Sequence, residues 1–159
     1  MNKSLVRLPI KAEGLNIGRE VILAEPLADA DCFLVRSIPA FVYGLAAGDV
    51  VKILDRESGR FDVLVRGNQV TIRIFVDGGL DRPDVRSLID QISEMGGCHE
   101  IARNDAGVNG ASLLLVSVDV AIGFPKIESL LRIVEGPDVR WEYGNVYGVD
   151  GESLNWWAH

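Results

Sequence analysis

The first half of the chain alternates apolar and polar positions, the period of strands that have one buried face. Phe61, Val63 and Val65 alternate with Asp62 and Arg66, and no helical stripe competes with them. Turn-forming residues separate four such segments, which predict strands at 21–25, 32–36, 49–54 and 61–66. Short strands at these intervals predict a small β-barrel or a strongly curled sheet, a β-barrel-like unit over residues 1–69.

The second half of the chain changes to the helical period, with apolar residues at i, i+3, i+4 and i+7. Asp81 is predicted to cap the first helix, with Pro83 in its first turn and the pair Gly96-Gly97 at its end. The two predicted stripes are Val85, Leu88, Ile89, Ile92 and Met95, then Ile127, Leu130, Leu131 and Val134.

The order of elements in the second half defines the expected fold class, α+β. With strands predicted at 71–76, 98–103, 112–118 and 139–143, the order is βαββαβ, the ferredoxin-like plan, over residues 70–159 with a C-terminal tail. Two helices would cover one face of this sheet and leave the other for solvent, the barrel or a partner. The connection near residues 67–69 is too short for a free linker, so one compact body is expected.

Composition excludes several classes of protein. The hydrophobic share is 48%, in the globular range, and no apolar run approaches the roughly 18 residues of a membrane-spanning helix. The first residues lack the apolar core of a signal peptide, and two distant cysteines, Cys32 and Cys98, predict reduced thiols and a cytoplasmic location. A net charge of -7 disfavours binding to nucleic acid or to an anionic membrane.

The charge is concentrated in the second half. Residues 1–70 hold nine basic and nine acidic residues, whereas residues 71–159 hold seven basic and 14 acidic residues and therefore the whole of the -7. Five of the eleven aromatic residues lie within the last 19 residues. Acidic surroundings steer a basic partner, and aromatic residues anchor interfaces. The predicted partner-binding residues are Glu135, Asp138, Glu142, Asp150, Glu152, Trp156 and Trp157.

A second interpretation of the same region is structural. Trp141 and Tyr143 would pack in the sheet, and the tail that carries Trp156 and Trp157 would fold back on its own chain. For the two terminal tryptophans the sequence leaves both interpretations open.

No catalytic or metal site is predicted. Cys98 and His99 are neighbours on a strand, so their side chains point to opposite faces and cannot pair as nucleophile and base. The chain has two histidines and none of the ligand spacings of zinc or calcium sites. The glycines of the loop 77–81 are flanked by carboxylates that would repel a phosphate. We therefore expect a protein without cofactor, metal or catalytic activity.

Two segments carry a resemblance to a known family. With Ala24-Glu25-Pro26-Leu27 and then an Ile-Pro-x-Phe-x-Tyr-Gly core at 38–44 followed by Gly48-Asp49-Val50-Val51, the chain resembles an uncharacterised bacterial domain family of unknown function. The resemblance runs from about Val21 to Tyr147 and implies a small cytosolic protein, with no activity to transfer.

The segment at 38–51 is interpreted as architecture. Gly44 and Gly48 supply the dihedrals of a tight turn, Asp49 caps backbone amides, and Phe41 and Tyr43 fill one end of the barrel. The alternative interpretation is a binding loop that contacts a ligand through Tyr43.

The start of the first helix is similar to another family. Asp81-Arg82-Pro83-Asp84, followed by a helix and Gly96-Gly97, resembles the Asp-Arg-Pro-Gly entry of ACT regulatory domains, although Asp84 stands where that family has glycine. The resemblance implies amino-acid binding beside this loop. The alternative ligand loop is Asp77, Gly78, Gly79, Asp81 and Asp84.

Taken together, these features predict a noncatalytic protein-binding protein. Its most concrete form is an immunity or antitoxin-type inhibitor that covers a basic partner, such as a cognate toxin, with its acidic second half. The alternative function is an ACT-like sensor of a small molecule.

Overall fold

A computed structural model describes residues 4–12, 18–102 and 111–158 and shows a mixed α+β protein with two antiparallel sheets and two helices. Five strands of the first half pair in chain order to form the first sheet. They are β1 (Val6–Lys11), β2 (Arg19–Pro26), β3 (Cys32–Val35), β4 (Val50–Asp55) and β5 (Arg60–Val65). Their inner face buries one apolar core, which includes Ile10, Ile22, Val35 and Val51.

The first sheet is curled but is not a closed barrel, which corrects the barrel form of the prediction and leaves the curled-sheet form. In the part of the chain that the structure describes, β1 and β5 do not pair as strands. Instead β1 meets the turn between β4 and β5, where the Lys11 amide donates to the Gly59 carbonyl at 2.9 Å. A Cβ on Gly59 would lie 2.9 Å from the Lys11 nitrogen, so only glycine permits this approach. The two ends of the sheet therefore touch at a turn and share no ladder.

Strand β1 is a strand that the sequence pattern did not reveal. It contains Pro9, which cannot donate to a ladder and which usually weakens a strand prediction. Here Pro9 lies opposite Val21 on the edge strand of the sheet, where its missing N–H leaves no gap.

The second sheet contains the remaining four strands in the order β7-β8-β6-β9, all antiparallel. The elements are β6 (Gln69–Asp77), α1 (Pro83–Glu94), β7 (Cys98–Ala102), β8 (Ala111–Asp119), α2 (Phe124–Leu131) and β9 (Val139–Tyr143). The predicted alternation of strands and helices is thus present, with ends shifted by at most two residues in the strands. No helix of the described residues is long and apolar enough to cross a membrane.

Both helices bury the predicted apolar stripes against one face of this sheet. Val85, Leu88 and Ile92 of α1 share a core with Ile127 and its neighbours from α2. The predicted cap is wrong, however, because α1 starts with Arg82 as its N-cap residue and Pro83 as its first residue. Asp81 lies one position too early to reach the first-turn amides and forms an ion pair with Arg86 instead.

The other face of the second sheet is covered by the first half of the chain, one of the three possibilities left open by the sequence. Ile38, Ala40, Phe41 and Ala47 pack on Phe75 of β6, Leu113 and Leu115 of β8 and Ala102 of β7. Phe41 therefore contacts the second sheet and does not fill an end of a barrel. The segment at 38–51 is the layer that joins the two sheets.

Candidate functional site

The layer between the sheets contains a buried arginine. Arg73 of β6 is 1% exposed and donates from Nη2 to the carbonyl of Val42 and from Nη1 to Glu142 Oε1 at 3.3 Å. Its guanidinium lies 4.8 Å from the centre of the Tyr43 ring. The Tyr43 hydroxyl in turn donates to the Glu142 carboxylate at 2.8 Å. This group of side chains ties the first half of the chain to the far edge of the second sheet.

The environment of Tyr43 stabilises its neutral form. Burial raises the pKa of the Tyr43 phenol, and the hydrogen bond to the Glu142 carboxylate raises it further. The phenol is therefore a hydrogen-bond donor at neutral pH. The geometry supports the structural interpretation of Tyr43.

Two further carboxylates hold the connecting layer in place. Asp49 is 1% exposed and accepts from the amides of Ala46 at 3.0 Å and Gly67 at 2.9 Å, which confirms its predicted capping role. Burial raises the pKa of Asp49, although Arg66 lies 3.5 Å away. Glu20 of β2 accepts from three successive amides, at residues 40, 41 and 42.

The predicted acidic partner-binding residues divide into two groups. Glu135, Asp150 and Glu152 are exposed, and Asp150 also accepts from the Glu152 amide at 3.0 Å within its loop. Asp138 and Glu142 are already engaged, since Asp138 pairs with Arg82 at 2.6 Å and Glu142 pairs with Arg73. These five carboxylates lie on β9 and on the loops before and after it.

The two terminal tryptophans fold back on their own chain. Trp156 Nε1 donates to the Asn145 carbonyl at 2.8 Å, and the Arg66 guanidinium lies 5.8 Å from its ring centre. Trp157 packs edge-to-face on Phe124 with ring centres 5.2 Å apart. Both side chains are half-buried against the helix-covered core, so only part of each ring is open to a partner.

The alternative ligand loop has its carboxylates paired with arginines. Arg82 Nη2 lies 2.6 Å from Asp84, which lowers the pKa of that carboxyl, and Arg140 lies 3.4 Å from Asp77. Gly78 and Gly79 both have positive φ, at 84° and 109°. The side chain of Asp81 pairs with Arg86, as described above. The loop is thus an Asp–Arg network at the start of α1.

The cysteines and His99 are not brought together as a reactive set. Cys32 is buried on β3, whereas Cys98 and His99 are exposed on β7 of the other sheet. In the described ranges, no group of three or more His, Cys, Asp or Glu side chains is placed to hold a metal ion.

The exposed strand β7 borders two grooves that the sequence did not indicate. Their volumes are about 490 Å³ and 480 Å³, and they share Ile38 and Glu100 as walls. One groove is lined by the exposed apolar residues Val21 and Leu23 of β2 and by Ile101 of β7. A sequence can indicate such apolar surfaces only after the outward face of each strand is known.

A further cavity lies at one end of the first sheet. It has a volume of about 570 Å³ and is lined by apolar residues of β1, of the β2–β3 turn and of β3, including Leu8, Leu27 and Phe33. Arg56 and Asp31 pair across its wall at 2.6 Å. Its size falls in the range of small-molecule sites, roughly 300–1,000 Å³.

The comparisons with known proteins agree with the resemblance noted in the sequence. A family model described as "Domain of unknown function (DUF4265)" matches residues 20–141. No curated protein matches the chain. The fold is similar to that of a hypothetical protein from Neisseria gonorrhoeae, with a TM-score of 0.61 and 22% sequence identity over 91% of this chain and 95% of that chain.

Proposed function

The chain belongs to this family of domains of unknown function, and we propose that it is a noncatalytic protein that binds a basic partner protein, as an immunity or antitoxin-type inhibitor does. The observation that carries the proposal is the surplus of carboxylates in the second half. Its described part has four arginines in ion pairs with carboxylates, at 73, 82, 86 and 140.

The remaining charges of that half are strongly unbalanced. Among its described residues, only Lys126 and Arg132 are cations outside ion pairs. The same residues include eight carboxylates outside ion pairs: Asp90, Glu94, Glu100, Asp119, Glu128, Glu135, Asp150 and Glu152. Such an excess favours encounter with a positively charged protein and disfavours an anionic one.

The proposal extends to the organisation of the chain. We propose two units, residues 1–69 and 70–159, that pack as one body through the layer at 38–51. The sheet order β7-β8-β6-β9, with both helices on one face, supports a ferredoxin-like second unit.

The experiment uses charge variants and association kinetics. Proteins captured from the native bacterium at low salt are purified and tested singly for direct binding to the full chain. For a basic partner, the double variant Asp150→Asn/Glu152→Gln should slow association at low salt, and the difference should vanish near 0.5 M salt, where the Debye length is only a few ångströms. Asp62→Asn, an exposed carboxylate in the first half, is the matched control.

One result would reject the proposal. If no purified basic protein binds the chain, while a metabolite raises its melting temperature, the protein is a sensor of small molecules.

The second candidate function, small-molecule sensing, is favoured by the cavity beside β1. An apolar pocket of about 570 Å³ with polar groups at its wall fits a small ligand. The amino-acid loop of the ACT-like hypothesis is a weaker place for it, because the carboxylates there already bind arginines. Substitution of Leu8 by Trp should abolish ligand-induced stabilisation if the cavity is the site, and Gly79→Ala should abolish it if the loop is.

A further inference from the structure

The cavity of about 570 Å³ is continuous with the apolar core of the first sheet. Its walls include Leu8 and Ile53 of that core and Phe33, which packs against it. The lining takes the first four residues of β1, the last residue of β2 and the first two of β3, which an antiparallel sheet brings to the same end. The end of a curled sheet, where the apolar inner face opens to solvent, corresponds to the mouth of a β-barrel, a common place for small-molecule sites.

The charged side chains at this cavity balance one another. Among the described residues, its lining includes two arginines, at 7 and 56, and two aspartates, at 29 and 31, so their net charge is zero. Arg56 is held by Asp31, to which its Nη2 and Nε donate at 2.6 Å and 2.8 Å. Arg7 and Asp29 are both exposed to solvent. The lining therefore has no excess charge to compensate the lost hydration of an ionic ligand.

Backbone groups of the β2–β3 turn are engaged within the protein. The Leu27 amide donates to the Cys32 carbonyl at 2.9 Å, and the Cys32 amide donates to the Asp29 carbonyl at 3.3 Å. The Asp31 carbonyl accepts from the Ile53 amide at 2.8 Å. Because these groups already have partners, an entering molecule gains mainly by transferring its apolar surface from water to the apolar walls.

We propose that this cavity binds an uncharged, largely apolar small molecule. Its volume lies in the range of small-molecule sites, roughly 300–1,000 Å³, and its walls offer apolar contact without a net charge. The inference rests on the second candidate function, small-molecule binding, and gives the ligand a chemical class. It is independent of the binding of a basic partner, because the cavity lies in the first half of the chain and the surplus carboxylates lie in the second.

Two fluorescent probes that share one ring skeleton test the ligand class. N-phenylnaphthylamine is uncharged, and anilinonaphthalene sulfonate adds a sulfonate to the same framework. The full chain should bind the uncharged probe saturably at a single site. It should bind the sulfonate at least about tenfold more weakly, because that charge would lose hydration without a net opposite charge beside it. Absence of saturable binding of the uncharged probe, or equal affinity for the two probes, would overturn the proposal.

Cavity-filling variants locate the binding site. Leu8→Trp and Leu27→Trp each place an indole at the cavity and should abolish binding of the uncharged probe. Leu27 is half-buried in its turn, so this variant keeps the test usable where Leu8→Trp does not fold. The matched control is Leu64→Trp at an exposed position of β5 outside the lining, which should leave binding unchanged. Binding that survives Leu27→Trp with an unchanged melting curve would overturn the proposal.

The two thiols of the chain report the position of the probe independently. Cys32 lines the cavity, whereas Cys98 is exposed on β7 of the other sheet. The uncharged probe should slow the alkylation of Cys32 by iodoacetamide, measured by mass spectrometry, and leave that of Cys98 unchanged. An unchanged rate at Cys32 when the probe is saturating would place the probe elsewhere, and the proposal would be wrong.

The variant Asp31→Asn tests the role of the charge balance. Asp31 has a positive φ of 60°, which asparagine also adopts readily, so the turn should keep its shape. The substitution leaves Arg56 without its carboxylate, so the sulfonate probe should bind about two- to fivefold more tightly while the affinity of the uncharged probe stays the same. Asp62→Asn, an exposed carboxylate outside the lining, is the matched control and should change neither affinity. An unchanged affinity for the sulfonate in Asp31→Asn would show that the charge balance does not set the ligand class, against the proposal.

Further outcomes separate this inference from the binding of a basic partner. If a basic protein binds the chain and responds to the Asp150/Glu152 variant while the uncharged probe does not bind, the cavity inference is wrong and the partner-binding function stands. If the probe binds in the cavity as expected but no basic protein binds the chain, the partner-binding function fails while the cavity site stands.

Discussion

The ion pair between Arg73 and Glu142 connects a buried charge to a partly exposed one. The Arg73 side chain is 1% exposed and that of Glu142 is 38% exposed. Removing the negative charge leaves a guanidinium that cannot lose its proton and whose remaining partners, the Val42 carbonyl and the Tyr43 ring, are neutral. An unpaired buried charge costs roughly 3–5 kcal/mol. We expect Glu142→Gln, which keeps a neutral acceptor, to lose about 3 kcal/mol of unfolding free energy.

Removing the arginine should cost less. In Arg73→Met the Glu142 carboxylate stays partly exposed to solvent and keeps its bond to Tyr43, and an apolar side chain of similar length fills the layer. The Val42 carbonyl loses its hydrogen-bond donor, which costs about 1–3 kcal/mol. Part of this cost is offset because a buried charge no longer has to be desolvated. The expected loss is about 1 kcal/mol, and the double variant should resemble Arg73→Met alone.

Urea unfolding followed by tryptophan fluorescence measures these differences. The control is Asp31→Asn at the exposed pair with Arg56, whose side chains are 37% and 77% exposed and which should contribute less than about 1 kcal/mol. A larger loss for Arg73→Met than for Glu142→Gln, or additive losses in the double variant, would refute the reasoning. It would show that the buried Arg73 charge without its carboxylate is not the main source of the lost stability.

Three further predictions concern the core, the pH dependence and the chemistry. Leu88→Ala and Leu130→Ala should each lose roughly 2–5 kcal/mol in urea unfolding, because both leucines are buried in the helix-covered core; a loss below 1 kcal/mol would contradict the packing. The pKa of Asp49 is raised in the folded state, so the folded protein binds this proton more tightly than the unfolded chain does. The free energy of unfolding, compared with that of Asp49→Asn, should therefore fall as pH rises from about 3.9, the ordinary pKa of an aspartate, towards the native pKa. A difference that does not change with pH would contradict this. His99→Gln should leave partner binding and the melting curve unchanged, and loss of the cellular role with an intact fold would reopen the question of catalysis.

The helices were predictable because each repeats its apolar stripe over at least two turns. Pro83 and Gly96 mark the ends of α1, and Gly96 has the positive φ of 79° expected at a helix end. The starting residue was not predictable, since Asp81 and Arg82 differ by one position and capping depends on local backbone geometry. Strand β1 was missed because Pro9 is tolerated only on an edge, and the strand order is a tertiary property.

The buried Arg73 shows what pattern analysis leaves out. Within the predicted strand at 71–76, an arginine between Ile72 and Ile74 has the alternation of a solvent-facing position. It is buried because the segment at 38–51, far away in sequence, covers that face. A usable signal existed in the opposite charges of Arg73 and Glu142, which are cross-strand partners in register, but that register was unknown from the sequence.

The same dependence on strand order distinguishes the aromatic tail from strand β7 as exposed surfaces. The aromatic tail is prominent in the sequence, yet the rings of Trp156 and Trp157 are partly covered by contacts within the same chain, with Asn145, Arg66 and Phe124. Strand β7 has an unremarkable sequence and becomes notable only because β8, apolar on both faces, takes the inner place beside it. An open strand edge cannot be hidden by rotating side chains, since its donors and acceptors belong to the backbone. The edge of β7 therefore keeps its free backbone groups whatever its side chains are.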